Sequence, residues 1–301
     1  MLRLDPKELS VAKLHSYLLG AVAPRPIAFV STVDKEGIRN LSPFSFFNAF
    51  SANPPICVFS PARRGRDNTT KHTFENAKEV DEVVINVVSY DIVQQMSLSS
   101  TEYPTEVDEF VKAGLTPIES ELVRPARVKE SPVQMECKVK QIIELGNEGG
   151  AGNLVVCEIL LMHIDEGVLN DQGSIDPNAI DLVARMGGNW YTRARGNALF
   201  EVKKPVQNIG IGVDQLPESI RNSAVLTGNN LGALGNVEQL PGEEEVAGTL
   251  DDEKIKRIFV AFKSTDPERE NQVHTLAKEL LDGGEVQEAW KVLMTLEFSQ
   301  S

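Results

Sequence analysis

The order of apolar runs and turn residues predicts a β-rich amino-terminal part. Residues 27–33 have the β-branched and aromatic character of a buried strand, residues 34–37 supply a turn, and residues 38–47 resume an extended pattern. The Asn53-Pro54-Pro55 break then precedes the apolar run 56–59, since proline fixes φ and removes a donor. The pattern therefore predicts three closely linked strands.

Three longer apolar segments extend the predicted sheet. Residues 83–88, 133–143 and 154–164 have strand character, and the last two flank the glycine-rich stretch 146–152. This stretch lacks both the GxGxxG spacing and the strand-to-helix context of a phosphate-binding loop. A hairpin with a wide, mobile turn is the favoured interpretation.

Helical signals lie at both ends of the chain. Asp5-Pro6-Lys7-Glu8 predicts a helix that ends near Gly20, and Asp176-Pro177 predicts another toward Ala184. Residues 238–301 hold 15 acidic and 7 basic residues, and after a helix start at Thr265-Asp266 they show two helical stripes separated by Gly283-Gly284. An αα-hairpin is predicted there.

A cationic, hydroxyl-rich loop contains the strongest chemical signal. Between residues 61 and 73 lie Arg63, Arg64, Arg66 and Lys71 together with three threonines, and Asp67 is the sole acid. Guanidinium and hydroxyl groups suit a phosphate monoester, whose oxygens accept several charge-assisted hydrogen bonds. Composition alone favours a solvated charged loop, but the surrounding strands favour an anion site.

Composition and charge limit the classes of function. The formal charge of −14 argues against general affinity for nucleic acid or anionic membranes, so an anionic ligand needs a local basic patch. Three cysteines without CxxC spacing and four dispersed histidines favour free thiols and argue against a metal site or a catalytic triad. Without a signal-peptide pattern or an apolar run of about 20 residues, a cytoplasmic location is expected.

An ordered set of short motifs resembles the flavin reductase-like family of FMN-binding split barrels. The set covers about residues 10–205 in family order. Its members are Pro24-Arg25-Pro26-Ile27-Ala28, Ser31-Thr32, Asn40-Leu41-Ser42-Pro43-Phe44-Ser45-Phe46-Phe47-Asn48, Asn53-Pro54-Pro55, Lys71-His72-Thr73, Val84-Ile85-Asn86-Val87, Ser131-Pro132-Val133-Gln134-Met135-Glu136-Cys137 and Arg185-Met186-Gly187-Gly188.

The resemblance implies a mainly β fold, an FMN-binding split β-barrel with peripheral helices over residues 1–205. Residues 206–301 depart from the pattern of short flavin reductases and are expected to form a helical extension, partly an αα-hairpin. Within it, the amide- and glycine-rich stretch 220–232 suits a capped helix-turn, a lid over a ligand or ordinary linking turns. These alternatives stay open.

The resemblance also implies a set of FMN-binding residues. The phosphate would be bound by Arg63, Arg64, Lys71 and Thr73 with Ser60. The isoalloxazine ring would bind in an apolar slot with hydroxyl and amide partners. Strand alternation predicts that Phe44 and Phe46 face one way and Ser45 and Phe47 the other. The remaining expected contacts are Arg25, Ser31, Asn40, Ser42, Pro43, Asn48, His72, Arg185, Gly187 and Trp190.

The reaction class follows from the implied cofactor. We expect an FMN-dependent oxidoreductase of flavin reductase type, in which NAD(P)H transfers a hydride to the flavin, and no obligatory acid–base dyad. The resemblance also implies a homodimer with a small-molecule electron donor and acceptor. The alternatives are an FMN-bound electron-transfer protein, a reductase of another acceptor such as a ferric complex, and a flavin-binding protein without turnover. Without the resemblance, Trp190 and Tyr191 would be expected to close the barrel core.

Overall fold

The chain divides into two compact units. A computed structural model describes residues 1–202, 205, 209–264 and 266–298. Unit 1 is Met1–Phe200 and unit 2 is Glu201–Ser301, and each has its own hydrophobic core. The predicted domain boundary lies between residues 205 and 206, and residue 206 is outside the described part of the chain.

Eleven strands are described, all in unit 1, and seven of them form one antiparallel sheet. Its order is β2-β1-β5-β8-β9-β4-β3, so β2 and β3, which follow each other in the chain, lie at its two edges. The strands are β1 (Ala28–Val33), β2 (Arg39–Phe44), β3 (Phe47–Ala52), β4 (Pro55–Phe59), β5 (Glu82–Val87), β6 (Pro117–Ile118), β7 (Arg127–Val128), β8 (Val133–Glu144), β9 (Asn153–Ile164), β10 (Leu182–Gly187) and β11 (Trp190–Ala194).

Strand β1 is buried along its whole length because both of its faces pack against apolar clusters. Ala28 and Val30 belong to one cluster, whereas Ile27 and Phe29 belong to a second cluster on the opposite face. This division follows the two-residue period of a strand. The mainly β split barrel with a helical carboxyl-terminal region is confirmed, as is the wide hairpin of β8 and β9.

The prediction of three strands between residues 27 and 59 was wrong, because four are present. A bend at Ser45 and Phe46 separates β2 from β3 and resets the alternation of side chains. Phe44 and Phe47 consequently pack into the same core cluster, while Phe46 is exposed. The predicted pairing of Phe44 with Phe46 on one face was therefore also wrong.

Five short helices surround the barrel. They are α1 (Val11–Ala21), α2 (His72–Val80), α3 (Val93–Leu98), α4 (Glu109–Ala113) and α5 (Pro177–Ile180). The first helix begins after Ser10, whose Oγ accepts from Lys13 N, and Pro6–Glu8 forms only a separate 3-10 turn. Helix α5 stops far short of Ala184, because Asp181 adopts φ +50° and β10 starts directly afterwards.

Unit 2 is helical in its described residues. Its helices are α6 (Glu218–Arg221), α7 (Gly228–Gly235), α8 (Glu243–Thr249), α9 (Glu253–Ala261), α10 (Pro267–Asp282) and α11 (Val286–Phe298). Helices α10 and α11 form the predicted αα-hairpin, with Asp266 as the N-cap of α10, whereas Thr265 lies outside the described residues. Trp290 is fully buried in the core and donates from Nε1 to the Leu234 carbonyl at 3.1 Å.

The stretch 220–232 contains a capped helix start. Thr227 Oγ1 accepts from Asn230 N, and Asn230 Oδ1 in turn accepts from Thr227 N at 2.9 Å, which makes a reciprocal capping box. Within the described ranges, no helix is long and apolar enough to cross a membrane. The three cysteines are buried free thiols.

Candidate functional site

A polar pocket opens in unit 1 where the cationic loop meets the amino terminus of α2. Six of the predicted residues line it, namely Asn40, Ser42, Arg64, Lys71, His72 and Thr73. Six further residues complete the lining, namely Ser99, Ser100, Thr101, Glu102, Tyr103 and Glu109. Asn40 and Ser42 are two residues apart on β2, so the strand period directs both side chains to the same side.

The amino terminus of α2 contributes positive electrostatic potential to this pocket. Lys71 is its N-cap, and no side chain in the described part of the chain caps it. Unpaired amide groups and the helix dipole make such a terminus attractive to anions. Burial, followed by repulsion from Arg64, lowers the pKa of Lys71.

His72 lies within the same cluster. Burial first, and then the charges of Arg64 and Lys71, lower the pKa of its imidazole, so the ring is neutral near neutral pH. Its Nε2 lies 3.2 Å from the Thr105 hydroxyl. His72 therefore offers a neutral polar group among cations.

The cationic loop holds Arg64 in a fixed position. Its backbone N–H donates to the Thr69 carbonyl at 2.8 Å, and its Nη1 donates to Thr69 Oγ1 at 3.0 Å and to the Thr70 carbonyl. The Nε of the same guanidinium donates to Glu102 Oε1 at 3.0 Å. The loop is thus folded around Arg64 and leaves one edge of the guanidinium directed at a carboxylate.

A buried hydrogen-bonded chain forms the floor of the pocket. Thr73 donates to Asn40 Oδ1 at 2.7 Å, and Asn40 Nδ2 donates to Glu109 Oε1 at 3.0 Å. The other Glu109 oxygen accepts from Leu41 N at 3.0 Å. Burial raises the pKa of Glu109, and these hydrogen bonds offset part of that increase. Asn40 and Thr73 are consequently held by their neighbours.

Two predicted phosphate ligands lie outside the pocket lining. Arg63 donates from Nε and Nη2 to the Oδ1 and carbonyl of Asn68, both at 2.7 Å. Ser60 Oγ accepts from Asn153 N at 3.1 Å at the start of β9. Arg63 thus bonds within the loop, and Ser60, just before the loop, bonds to β9.

The predicted ring contacts are scattered. Phe44 is buried against Phe59 with ring centroids 5.5 Å apart, and Pro43 pairs in register with Phe29 of β1. The side chain of Asn48 is exposed and accepts from Ala49 N. Ser31 is fully buried, and its Oγ has no hydrogen-bond partner among the described residues.

A second group of predicted residues joins α1 to the β10–β11 hairpin. Arg25 is buried, donates to the carbonyls of Leu19 and Val22, and reaches Ser45 Oγ at 3.4 Å. Its backbone pairs with that of Arg185, whose guanidinium lies 4.7 Å from the Tyr191 ring centroid. These residues are outside the polar pocket.

The Gly187 turn brings the hairpin close to α1. Gly187 has φ +108°, and a Cβ there would lie 3.2 Å from the Leu19 carbonyl oxygen, so only glycine fits without strain. Trp190 is 78% exposed and does not close the core, whereas Tyr191 packs partly against it.

Sequence reasoning missed half of the pocket lining. The missed residues are 99–103, which follow α3, and Glu109, the first residue of α4. Both lie more than 25 residues beyond the cationic loop in the chain, so the order of residues does not show that they are close to it in the fold. The run of serine and threonine from residue 99 to 101 is the one feature that could have indicated them.

Unit 1 is similar in sequence and in fold to known proteins. A profile of the flavin reductase like domain matches residues 20–179. Nitrilotriacetate monooxygenase component B from Bacillus cereus is similar at 32% identity and a TM-score of 0.63, covering 67% of this chain and 98% of that one. The 2-nitrobenzoate 2-nitroreductase of Pseudomonas fluorescens has 25% identity and a TM-score of 0.59, covering 67% and 96%. A protein of Aquifex aeolicus is 36% identical, covering 65% and 97%.

Proposed function

Because the chain belongs to the flavin reductase-like family, we propose that it is an oxidoreductase that binds FMN and receives a hydride on it from NADH or NADPH. One observation supports the choice of FMN above all. The polar pocket combines two half-buried cations, six hydroxyl-bearing side chains and an uncapped helix terminus, which are the groups that a phosphate monoester needs.

The residues present fit a phosphate in specific roles. Arg64 and Lys71 would supply the positive charge, and the backbone N–H groups of His72 and Thr73 would donate from the start of α2. The Thr73 hydroxyl already donates its proton to Asn40, so it would not donate to the phosphate and would instead hold the floor of the pocket. Arg63, which is bonded to Asn68, would hold the shape of the loop.

The proposed ring contacts follow from exposure. Ser42, Ser45 and Phe46 lie along β2 and the bend after it and are at least partly accessible, whereas Phe44 and Phe47 support the barrel core. When bound, the isoalloxazine would supply the hydride-accepting chemistry, and the protein would supply position and exclude water. The predicted absence of an acid–base dyad agrees with this division.

We also propose that the protein is a homodimer that joins through the β3 edge. Phe50 is 68% exposed on this strand, and five of its six residues are exposed. An unpaired strand edge with an exposed aromatic residue favours association with another chain. The electron donor and acceptor would be small molecules.

The first test is an anaerobic titration of FMN-loaded protein with NADH and NADPH, followed by stopped-flow flavin absorbance. Rapid bleaching with either nucleotide is expected. Bound FMN that neither nucleotide reduces would favour a binding or electron-transfer protein, and absence of FMN uptake would contradict the proposal.

The assigned phosphate site predicts a selective loss of affinity. The Arg64→Ala/Lys71→Ala variant should bind FMN about 100-fold more weakly, because each charge-assisted hydrogen bond contributes about 1.5–3 kcal/mol. Riboflavin, which lacks the phosphate, should bind as it does to the unmodified protein. Fluorescence titrations measure both affinities.

A matched control for this variant is Lys35→Ala/Lys138→Ala. It also removes two cations of unit 1, but these form surface ion pairs with Glu79 and Asp81 and do not line the pocket. Its FMN affinity should stay within about twofold of the unmodified value. An equal loss in both variants would show a general charge effect rather than a phosphate site.

A further inference from the structure

We propose that Glu102 is an internal competitor for the cofactor phosphate and thereby determines how tightly and how reversibly the pocket holds FMN. This inference rests on the proposed function. It concerns a residue that the sequence did not single out, in a segment far from the cationic loop along the chain.

The carboxylate of Glu102 accepts hydrogen bonds from two arginines of the loop and lies near its lysine. Its Oε1 lies 3.0 Å from Arg64 Nε and 3.9 Å from Lys71 Nζ, and its Oε2 lies 3.0 Å from Arg66 Nη2. Hydrogen bonds from Arg64 and Arg66 accordingly lower the pKa of Glu102, which keeps it ionised. Oε1 thus faces the two cations assigned to the phosphate, and Oε2 is held by Arg66.

A phosphate and this carboxylate need the same donors. Arginine forks bind either anion through parallel charge-assisted hydrogen bonds, and one guanidinium edge cannot satisfy both at full strength. Two anions in one cluster also repel each other. Phosphate entry at Arg64 and Lys71 therefore requires Glu102 to move away from them.

The segment that holds Glu102 is suited to such a movement. The side chain is 41% exposed, so its carboxylate can turn into water without burial of a charge. The backbone bonds around it are local, since Thr101 N donates to the Leu98 carbonyl and Tyr103 N to that of Thr101. Displacement breaks surface ion pairs, which are individually weak.

An exchange of anions has a functional consequence. With Glu102 present, the cations are neutralised by its carboxylate when FMN leaves. The net free energy of phosphate binding is therefore smaller, because binding must first break the ion pairs of Glu102. The flavin is then held reversibly and can leave as a diffusible product.

The test compares FMN with riboflavin in the full-length Glu102→Gln protein. Glutamine keeps the size and hydrogen-bonding reach of the side chain but removes the charge. FMN should bind about fivefold more tightly and dissociate more slowly, in line with the loss of competing surface ion pairs, and the gain should shrink at high salt. Riboflavin affinity should be unchanged.

Glu106→Gln is the matched control, because it removes an equal charge from an exposed position four residues further along. Its FMN affinity should change by less than about twofold. Weaker or unchanged FMN binding in Glu102→Gln, or equal tightening for riboflavin, would overturn the inference. If the unmodified protein takes up no FMN, both this inference and the proposed function fail, whereas uptake without tightening overturns the inference alone.

Discussion

At the scale of single residues, the structure assigns different roles to two adjacent arginines that the sequence alone does not distinguish. Arg63 and Arg64 are adjacent and chemically identical, yet Arg64 lines the pocket and Arg63 is bonded to Asn68. The cause is the backbone at Asn68, which adopts φ +57° and turns the loop back on Arg63. No spacing rule encodes that turn. Asn40 and Thr73, by contrast, were predicted at the site and line the pocket from its buried floor.

Glu109 should contribute to stability through the donors that it satisfies. In Glu109→Ala, Asn40 Nδ2 and Leu41 N lose their acceptors, and unmet buried donors cost about 1–3 kcal/mol each. We expect the free energy of unfolding to fall by about 2 kcal/mol. Denaturant titration followed by circular dichroism measures this change. The exposed Glu106→Ala serves as the control, and an equal loss there would contradict the assignment.

The same residue predicts a pH dependence with a definite sign. Burial raises the pKa of Glu109 in the folded chain, so the folded state holds its proton more tightly than the unfolded state. Its contribution is fully present below the ordinary glutamate pKa and declines as pH rises through the raised value. Glu109→Ala should therefore lose more stability in mildly acidic than in mildly alkaline buffer. A larger loss in alkaline buffer would contradict this sign.

At the scale of elements, the sequence pattern did not predict strand β3 as a separate strand. Turn prediction relied on glycine, proline and charged residues, but the bend between β2 and β3 is made by Ser45 and Phe46. The strands β1, β4, β5, β8 and β9 were predicted because their apolar runs are bounded by such residues. The exposed edge of β3 is a tertiary property, set by its place at the end of the sheet.

The proposed dimer predicts a change in association on substitution within β3. Phe50→Asp should convert the dimer into a monomer, because a charge at an apolar interface centre is not compensated. Sedimentation velocity over a range of concentrations measures the result. Val260→Asp, at an exposed apolar position on α9, provides the control and should leave association unchanged. A Phe50→Asp protein that stays dimeric would place the interface elsewhere.

At the scale of the whole molecule, the two units differ in how far the sequence could describe them. The ordered motifs of residues 10–205 predicted the barrel and its family, and the family profile matches residues 20–179. Unit 2 offered only propensity and periodicity, so its αα-hairpin was predicted but the contacts of Trp290 were not. Burial of one indole under several helices depends on tertiary packing.

Separate cores predict separate responses to a core substitution. Trp290→Ala removes the largest buried side chain of unit 2 and its hydrogen bond to Leu234, and should destabilise that unit by about 3–5 kcal/mol. Hydrogen exchange followed by mass spectrometry should show faster exchange in residues 209–298 and unchanged protection in the barrel strands. Trp190→Ala, at an exposed site, should change neither. Equal loss of protection in both units would show that they unfold as one.

The position of the pocket residues also affects how the protein can evolve. Arg64, Lys71 and Glu102 come from connections between strands and helices, whereas most residues of the barrel core lie on β-strands. Substitutions in these connections leave the apolar clusters intact and cost little stability. Lineages of this fold can therefore exchange one anionic ligand for another, or change its residence time, by small steps that natural selection can test one at a time.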